Sequence, residues 1–299
     1  MNRPVSMSPS PASASSVRWG LIAGNGRFPF LVLEAARSQG IDMAVIAIRE
    51  EASPELESVA SRLHWVSLGE LSRALELLHR EGVNHAVMAG QVQHNKIFSS
   101  IRPDWKLAKI LLSLPFKNTD SLIGAVAKAL ESEGIELVDS TTFLRPLVPA
   151  AGVLTLRAPD AHEAADIAYG REIARRIAGL DLGQTVVVRD GACVAVEAME
   201  GTDETMERAA RLAVGGSLVV VKVSKPRQDM RFDVPVVGLK TVEVMQRCRV
   251  SALAMDAERT LLFDRKRVIE AADAAGIAME AFMPQSGDAA QENMPEGKR

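Results

Sequence analysis

The densest group of residues able to do chemistry is Lys222-Val-Ser-Lys225-Pro-Arg227-Gln228-Asp229-Met-Arg231-Phe-Asp233-Val-Pro235. It sets four cations and two carboxylates between apolar runs at 218–221 and 234–237. Fixed cations stabilise the charge that develops on a transferring phosphoryl group, and a carboxylate can hold a divalent metal or orient water. A solvated loop of mixed charge has the same composition, but two buried flanks pin this one at strand ends. A second group, Glu197-Ala-Met-Glu200-Gly201-Thr202-Asp203-Glu204, turns from a buried strand into a helix. Thr202 or Asp203 can cap that helix, and acids in a first turn suit its dipole. The corner therefore reads either as a cap or as a site.

Gly24-Asn25-Gly26-Arg27-Phe28-Pro29 forms a third group, between the first strand and the first helix. Glycines there let backbone approach a ligand, and the helix N–H groups attract an anion. Pro29 stands where a dinucleotide fingerprint needs its third glycine. Three readings stay open: a dinucleotide, another nucleotide or phosphate ligand, or a bare structural turn. Gly90-Gln91 ends a further parallel strand, where open α/β sheets bind ligands, so it can share a crevice with Gly24–Arg27. Lys117-Asn118-Thr119-Asp120 brings a carboxylate over that crevice or merely caps a helix. The five histidines lack metal-ligand spacing, and neither a Walker nor a G-x-S-x-G pattern occurs.

The elements that must carry these residues follow from short apolar runs separated by helical periodicity. Strands are expected at 17–23, 43–48, 63–66, 85–89 and 135–138, with helices at 28–38, 68–80 and 121–133. That alternation predicts a parallel sheet covered on both faces, a Rossmann-like α/β domain. Later runs at 185–188, 193–197, 218–223, 234–237, 252–255 and 261–263, with helices at 161–177 and 202–212, mix hairpin and crossover links. Asp190-Gly191 between two apolar runs is a hairpin turn. The second half is therefore mixed α/β. The expected divisions are a disordered leader at 1–16, a Rossmann-like domain at 17–150, a linker at 151–160, a C-terminal catalytic domain at 161–283 and a polar tail at 284–299.

A chain of 299 residues buries enough surface to need no disulfide or metal staple. The formal charge of −3 argues against bulk nucleic-acid binding, which needs a basic footprint. Cys193 and Cys248 read as reduced core thiols of a cytosolic protein. No run approaches the roughly 18 apolar residues of a membrane-spanning helix, and the leader, rich in Ser and Pro, lacks the apolar core of a secretory signal.

LIAGNGRFP at 21–29, AGQV at 89–92, EGTDET at 200–205 and KPRQDMRFDVPVVGLKT at 225–241 together resemble, in order and spacing, the UDP-2,3-diacylglucosamine pyrophosphatases of Gram-negative lipid A synthesis. This is the family unrelated to the calcineurin-like metallophosphoesterases. The resemblance spans roughly residues 17 to 282. It implies two α/β domains binding substrate between them, a requirement for Mg²⁺ (or Mn²⁺), and hydrolysis to UMP and 2,3-diacylglucosamine 1-phosphate by water attacking the α-phosphorus. The essential aspartate of the R-x-D-x-P element falls on Asp233, with Asp229 as a second candidate metal ligand. Residues expected to meet substrate are Gly24, Asn25, Gly26, Arg27, Gly90, Gln91, Thr119, Asp120, Glu197, Thr202, Asp203, Lys222, Lys225, Gln228 and Arg231. The implied setting is the cytoplasm, with transient contact at the inner membrane surface, no nucleic acid partner, and a homodimer as one form of assembly. A nucleotide-sugar binding protein without turnover and a nucleotide-sugar transferase are the alternatives.

Overall fold

The computed structural model describes residues 17–92, 102–114, 119–226 and 228–284, with the side chains of Thr119 and Asp120 left aside. The leader at 1–16, His94, Lys117, Asn118, Arg227 and the tail from 285 onward lie outside the described residues. The chain divides between Val138 and Asp139 into two units.

In the first unit, five strands form one parallel sheet in the order β3-β2-β1-β4-β5. They are β1 (Trp19–Ala23), β2 (Ala44–Ile48), β3 (Arg62–Val66), β4 (His85–Ala89) and β5 (Glu136–Leu137). Helices α1 (Phe28–Ser38), α2 (Leu56–Val59), α3 (Leu71–Arg80), α4 (Trp105–Ser113) and α5 (Thr119–Ser132) connect them. Ala44, Val45, Ile46 and Ala47 are all buried, which explains why the strand reads as an unbroken apolar run rather than an alternating one. This is the Rossmann-like parallel arrangement the run pattern predicts.

The second unit is built on a mixed six-stranded sheet, ordered β6-β13-β11-β9-β7-β8. Its strands are β6 (Gly152–Val153), β7 (Thr185–Arg189), β8 (Ala192–Val196), β9 (Leu218–Lys222), β11 (Val250–Asp256) and β13 (Ala278–Phe282). β9, β11 and β13 are parallel, while β7, β8 and β6 run antiparallel to their neighbours. Helix α6 (Ala161–Gly179) covers one face, packing against Val186, Val188, Val219 and Val221. Helices α7 (Thr202–Leu212), α8 (Leu239–Arg247) and α9 (Arg265–Ala274) cover the other, against Val187, Leu218 and Val220. Strict alternation along β7 and β9 thus serves two cores at once. The runs at 234–237 and 261–263 do not join this sheet. They shrink to β10 (Val236–Val237) and β12 (Leu261–Leu262), which pair with each other.

Two buried carboxylates lock this unit. Asp166 on α6 accepts from the Asp190 and Gly191 N–H groups at 3.0 and 2.7 Å, fixing the hairpin turn between β7 and β8. Glu163, in a capping box with Asp160, pairs with Arg157 at 2.6 and 2.9 Å. Arg157 also donates to the Ser251 and Gly276 carbonyls. The stretch 151–160 is therefore anchored within this unit, with β6 paired to β13 and Arg157 tying it to the sheet.

Burial pushes the Glu163 carboxyl up, but the Arg157 guanidinium and the Asp160 N–H outweigh it and hold the group below its ordinary value. The pair therefore stabilises the fold fully above that ordinary value and stops doing so as pH falls through the depressed one. Arg157→Ala should cost roughly 2–3 kcal/mol at pH 7, less than a fully buried pair because Arg157 is partly exposed. In urea titrations the gap between wild type and variant should narrow at pH 4. A gap of equal size at both pH values would show that the pairing is not responsible.

Candidate functional site

At the carboxyl end of β9, antiparallel register sets Lys222 directly across from Thr185 at the start of β7. Both side chains lie on the face that carries Val220 and Val187, under the first turn of α7. Lys222 is buried, and its Nζ donates to Thr202 Oγ1 at 2.8 Å and more weakly to Thr185 Oγ1 at 3.5 Å. Thr202 donates to Glu197 Oε1 at 2.9 Å. A hydroxyl has a single proton, so in its 3.2 Å contact with Thr185 it is the acceptor. The second Glu197 oxygen accepts from the Gln184 N–H at 3.2 Å. Burial pushes the Lys222 ammonium below its ordinary value, opposed by the charges of Glu197, Asp233 and Asp203.

At the Glu197–Glu204 corner neither Thr202 nor Asp203 caps the helix. Gly201 is the N-cap of α7 and no side chain caps it. Thr202 instead turns to the lysine, and Thr205 donates back to the Gly201 carbonyl at 2.9 Å. Asp203 reaches Lys240 at 3.1 Å, and Glu200 pairs with Arg208 at 2.6 Å.

Immediately downstream, the loop from Lys225 to Asp233 is closed by its own residues. Gln228 accepts from the Lys225 N–H at 2.7 Å and donates to the Asp233 carbonyl, so its amide is engaged in shaping the turn. Asp229 receives the Arg231 guanidinium at 2.7 and 2.9 Å, which holds its carboxyl well below the usual range. Ser140 anchors the loop by donating twice: its N–H to the Met230 carbonyl at 2.9 Å and its hydroxyl to the Arg231 carbonyl at 2.6 Å. Lys225 Nζ lies 2.8 Å from Asp181 and 3.8 Å from Asp233. The Asp233 carboxylate is about one-third exposed, 32%. The loop thus presents an ammonium and a carboxylate side by side at the strand ends, where parallel sheets bind ligands.

Reading by residue type missed three participants. Gln184 precedes β7 and Thr185 opens it, where polar residues look like ordinary strand-entry positions. Asp256 ends β11, is buried, and accepts from the Ser224 N–H at 2.7 Å. Its only sequence signal is a carboxylate closing a long apolar run.

In the first unit, β1 and β4 are neighbours, and their carboxyl ends place the two glycine groups together. Gly24 N–H donates to the Ala89 carbonyl at 2.8 Å, and Asn25 and Gln91 exchange backbone bonds at 2.8 and 3.0 Å. A Cβ on Gly90 would meet the Asn25 oxygen at 2.6 Å, and one on Gly24 the Gln91 oxygen at 2.7 Å. Loop-to-loop contact alone requires those two glycines. Gly26 is different: it has φ of +91° and open space beyond it, with Asn25, Arg27 and Gln91 exposed around it. Thr119 and Asp120 open α5, and their side chains lie outside the description.

The described histidines have structural partners, His64 with Glu81 at 2.7 Å, His85 with Glu136 at 3.2 Å and His162 with Asp190 at 3.2 Å. Both cysteines are unpaired thiols, pushed up by burial. Among the described residues no three His, Cys, Asp or Glu side chains converge to hold a metal, and no helix is long and apolar enough to cross a membrane.

Comparison with known proteins adds the following. Solved structures align weakly: the biotin carboxylase domain of Hydrogenobacter thermophilus 2-oxoglutarate carboxylase has 15% identity and a TM-score of 0.26 over 66% of this chain and 41% of that one. A Campylobacter jejuni biotin carboxylase complex has 11% identity and a TM-score of 0.27 over 68% and 43%. The chain spans less than half of either structure, and likeness at such scores carries no argument. A protein of Caulobacter vibrioides named UDP-2,3-diacylglucosamine pyrophosphatase LpxI is 33% identical over 276 residues, covering 89% of this chain and 98% of that protein. The model of the LpxI N-terminal domain matches residues 18–147, and that of the LpxI C-terminal domain matches residues 150–280. With both halves matched and a full-length relative at that identity, the chain belongs to the LpxI family.

Proposed function

We propose that this chain hydrolyses the pyrophosphate of UDP-2,3-diacylglucosamine, giving UMP and 2,3-diacylglucosamine 1-phosphate for lipid A synthesis. The observation that carries the reading is the paired Lys225 and Asp233 at the sheet's carboxyl edge, in a chain whose relative of nearly equal length bears that activity in its name. Water oxygen bonds to the α-phosphorus while the bond from that phosphorus to the bridging oxygen breaks. The 1-phosphate leaves. Asp233 orients the water, and Lys225, held between Asp181 and Asp233, meets phosphoryl charge. Lys222 adds buried positive potential from behind, fixed by Thr185 and Thr202.

Mg²⁺ fits this donor set in one form. It is commonly held by one or two carboxylates with substrate phosphates and waters. The partly exposed Asp233 suits such a site, whereas Asp229 would have to give up Arg231. When bound, the metal would neutralise pyrophosphate charge and polarise a phosphoryl oxygen. In the first unit, the open turn at Gly26 is the place for a nucleotide or phosphate to approach backbone.

Three outcomes follow. Purified protein given UDP-2,3-diacylglucosamine should release UMP, stop when EDTA is added and resume with excess Mg²⁺. No UMP under any condition would leave the binding-protein alternative standing. Asp233→Ala should lower kcat at least ~10²-fold with substrate affinity retained; turnover within about tenfold of wild type would remove Asp233 from the chemistry. Gly26→Val strains a positive φ, at a cost of about 1–2 kcal/mol, and should weaken UMP binding in calorimetry by more than that strain lowers stability. Unchanged affinity would reduce the turn to a structural role.

A further inference from the structure

In the first unit, the outer edge of β3 and one face of α3 enclose a cleft of about 470 Å³. Its residues lie outside every group assigned to the hydrolysis. Arg73, Glu76, Leu77 and Arg80 follow i, i+3, i+4, i+7 spacing and so share one face of α3. Arg49, just past β2, completes the lining together with residues 63–65 of β3. Among the described residues β3 is an edge strand, paired with β2.

The charge balance is what distinguishes the cleft. Arg62, on the same strand, is neutralised by Asp42 at 3.1 Å and Glu81 at 3.4 Å. His64 likewise meets Glu81. In the cleft, three guanidinium groups face a single carboxylate, Glu76. Arg73 lies 3.8 Å from Glu70, Arg80 shares the charge of Glu81 with Arg62 and His64, and Arg49 makes no ion pair among the described residues. Three like charges kept around one concavity repel each other at a cost to the fold, and an anion in the cavity relieves that cost. Guanidinium forks match phosphate oxygens in geometry, and the volume is that of a small-molecule site.

We propose that this cleft binds a small anion carrying two or more phosphate-type charges, held by Arg49, Arg73 and Arg80. Its lining shares no residue with the glycine turn, which makes it a second binding site, suited to a phosphorylated effector rather than to the scissile pyrophosphate.

The test is calorimetry on the full chain with inorganic tripolyphosphate as the probe, at low and high salt, in wild type and in Arg73→Ala/Arg80→Ala. UMP affinity and turnover serve as controls for folding, since these arginines are exposed and outside the reaction machinery. The double variant should lose tripolyphosphate affinity at least about tenfold, with UMP affinity and turnover within about twofold, and the wild-type affinity should fall steeply with salt. A parallel arm uses sedimentation with vesicles of equal parts phosphatidylglycerol and phosphatidylcholine. Arginine-dependent binding to vesicles without tripolyphosphate binding would assign the same cleft to a lipid headgroup. Binding of neither probe, or binding unchanged by the double variant, would overturn the proposal.

Discussion

Removing an ammonium group from water costs several kcal/mol unless its neighbours replace the lost hydration. Lys222 imposes that requirement on the second unit. Its two hydrogen-bond partners are hydroxyls, and the carboxylate that balances it, Glu197, acts through one of them. Three elements must therefore agree: β9 supplies the lysine, β7 supplies Thr185 by antiparallel register, and α7 supplies Thr202 from its first turn. A slip of one residue between β7 and β9 would send Thr185 to the α6 face and leave the lysine unsolvated. The polar cluster thus specifies register as firmly as the apolar alternation does. Its cost also explains why the flanking strands are so uniformly apolar, since dense packing on both faces must hold a charge in place.

The loop after β9 solves a different problem. Lys225, Asp229, Arg231 and Asp233 are partly exposed charges, yet they are held in one geometry. Backbone and side-chain bonds internal to the loop do this, through Gln228, Asp229 and Arg231, while Ser140 ties it to the body of the unit. Both acids of the loop keep about a third of their surface toward solvent, but Asp229 is taken up by the Arg231 guanidinium at 2.7 Å, whereas Asp233 has Lys225 at 3.8 Å. Division of labour between neighbouring carboxylates follows from their partners, not from their chemistry, which is identical.

Much of this architecture was legible because its signals are local. The runs at 85–89, 28–38 and 202–212 coincide with β4, α1 and α7, since buried parallel strands and amphipathic helices announce themselves in a few residues. Failures have equally local causes. Helix α9 buries only Val268 and Ala272, so its apolar stripe is too thin to stand out. Strand β13, AMEAF, is made of residues with little strand preference and is a strand because β11 lies beside it. Helix α8 begins in Leu-Lys-Thr-Val-Glu-Val, whose alternation imitates a strand. The segment Val234–Val237 reads as a buried strand, but among the described residues Val236 and Val237 alone of it pair, and with β12.

The site shows the same division. Residue types picked out Lys222 in one group and Glu197 and Thr202 in another, because polar residues interrupting apolar runs are conspicuous, but did not bring the two groups together. They did not reveal that Thr202 serves the lysine rather than the helix, for capping and relay use the same hydroxyl and the same spacing. Nor could they separate Gly24 and Gly90 from Gly26. All three are glycines in turns at the carboxyl ends of strands, yet a Cβ at the first two collides with backbone across the sheet edge, and only the third is left without such a neighbour. What distinguishes a structural glycine from an available one is an atom far away in sequence, and that information exists only once β1 and β4 are side by side.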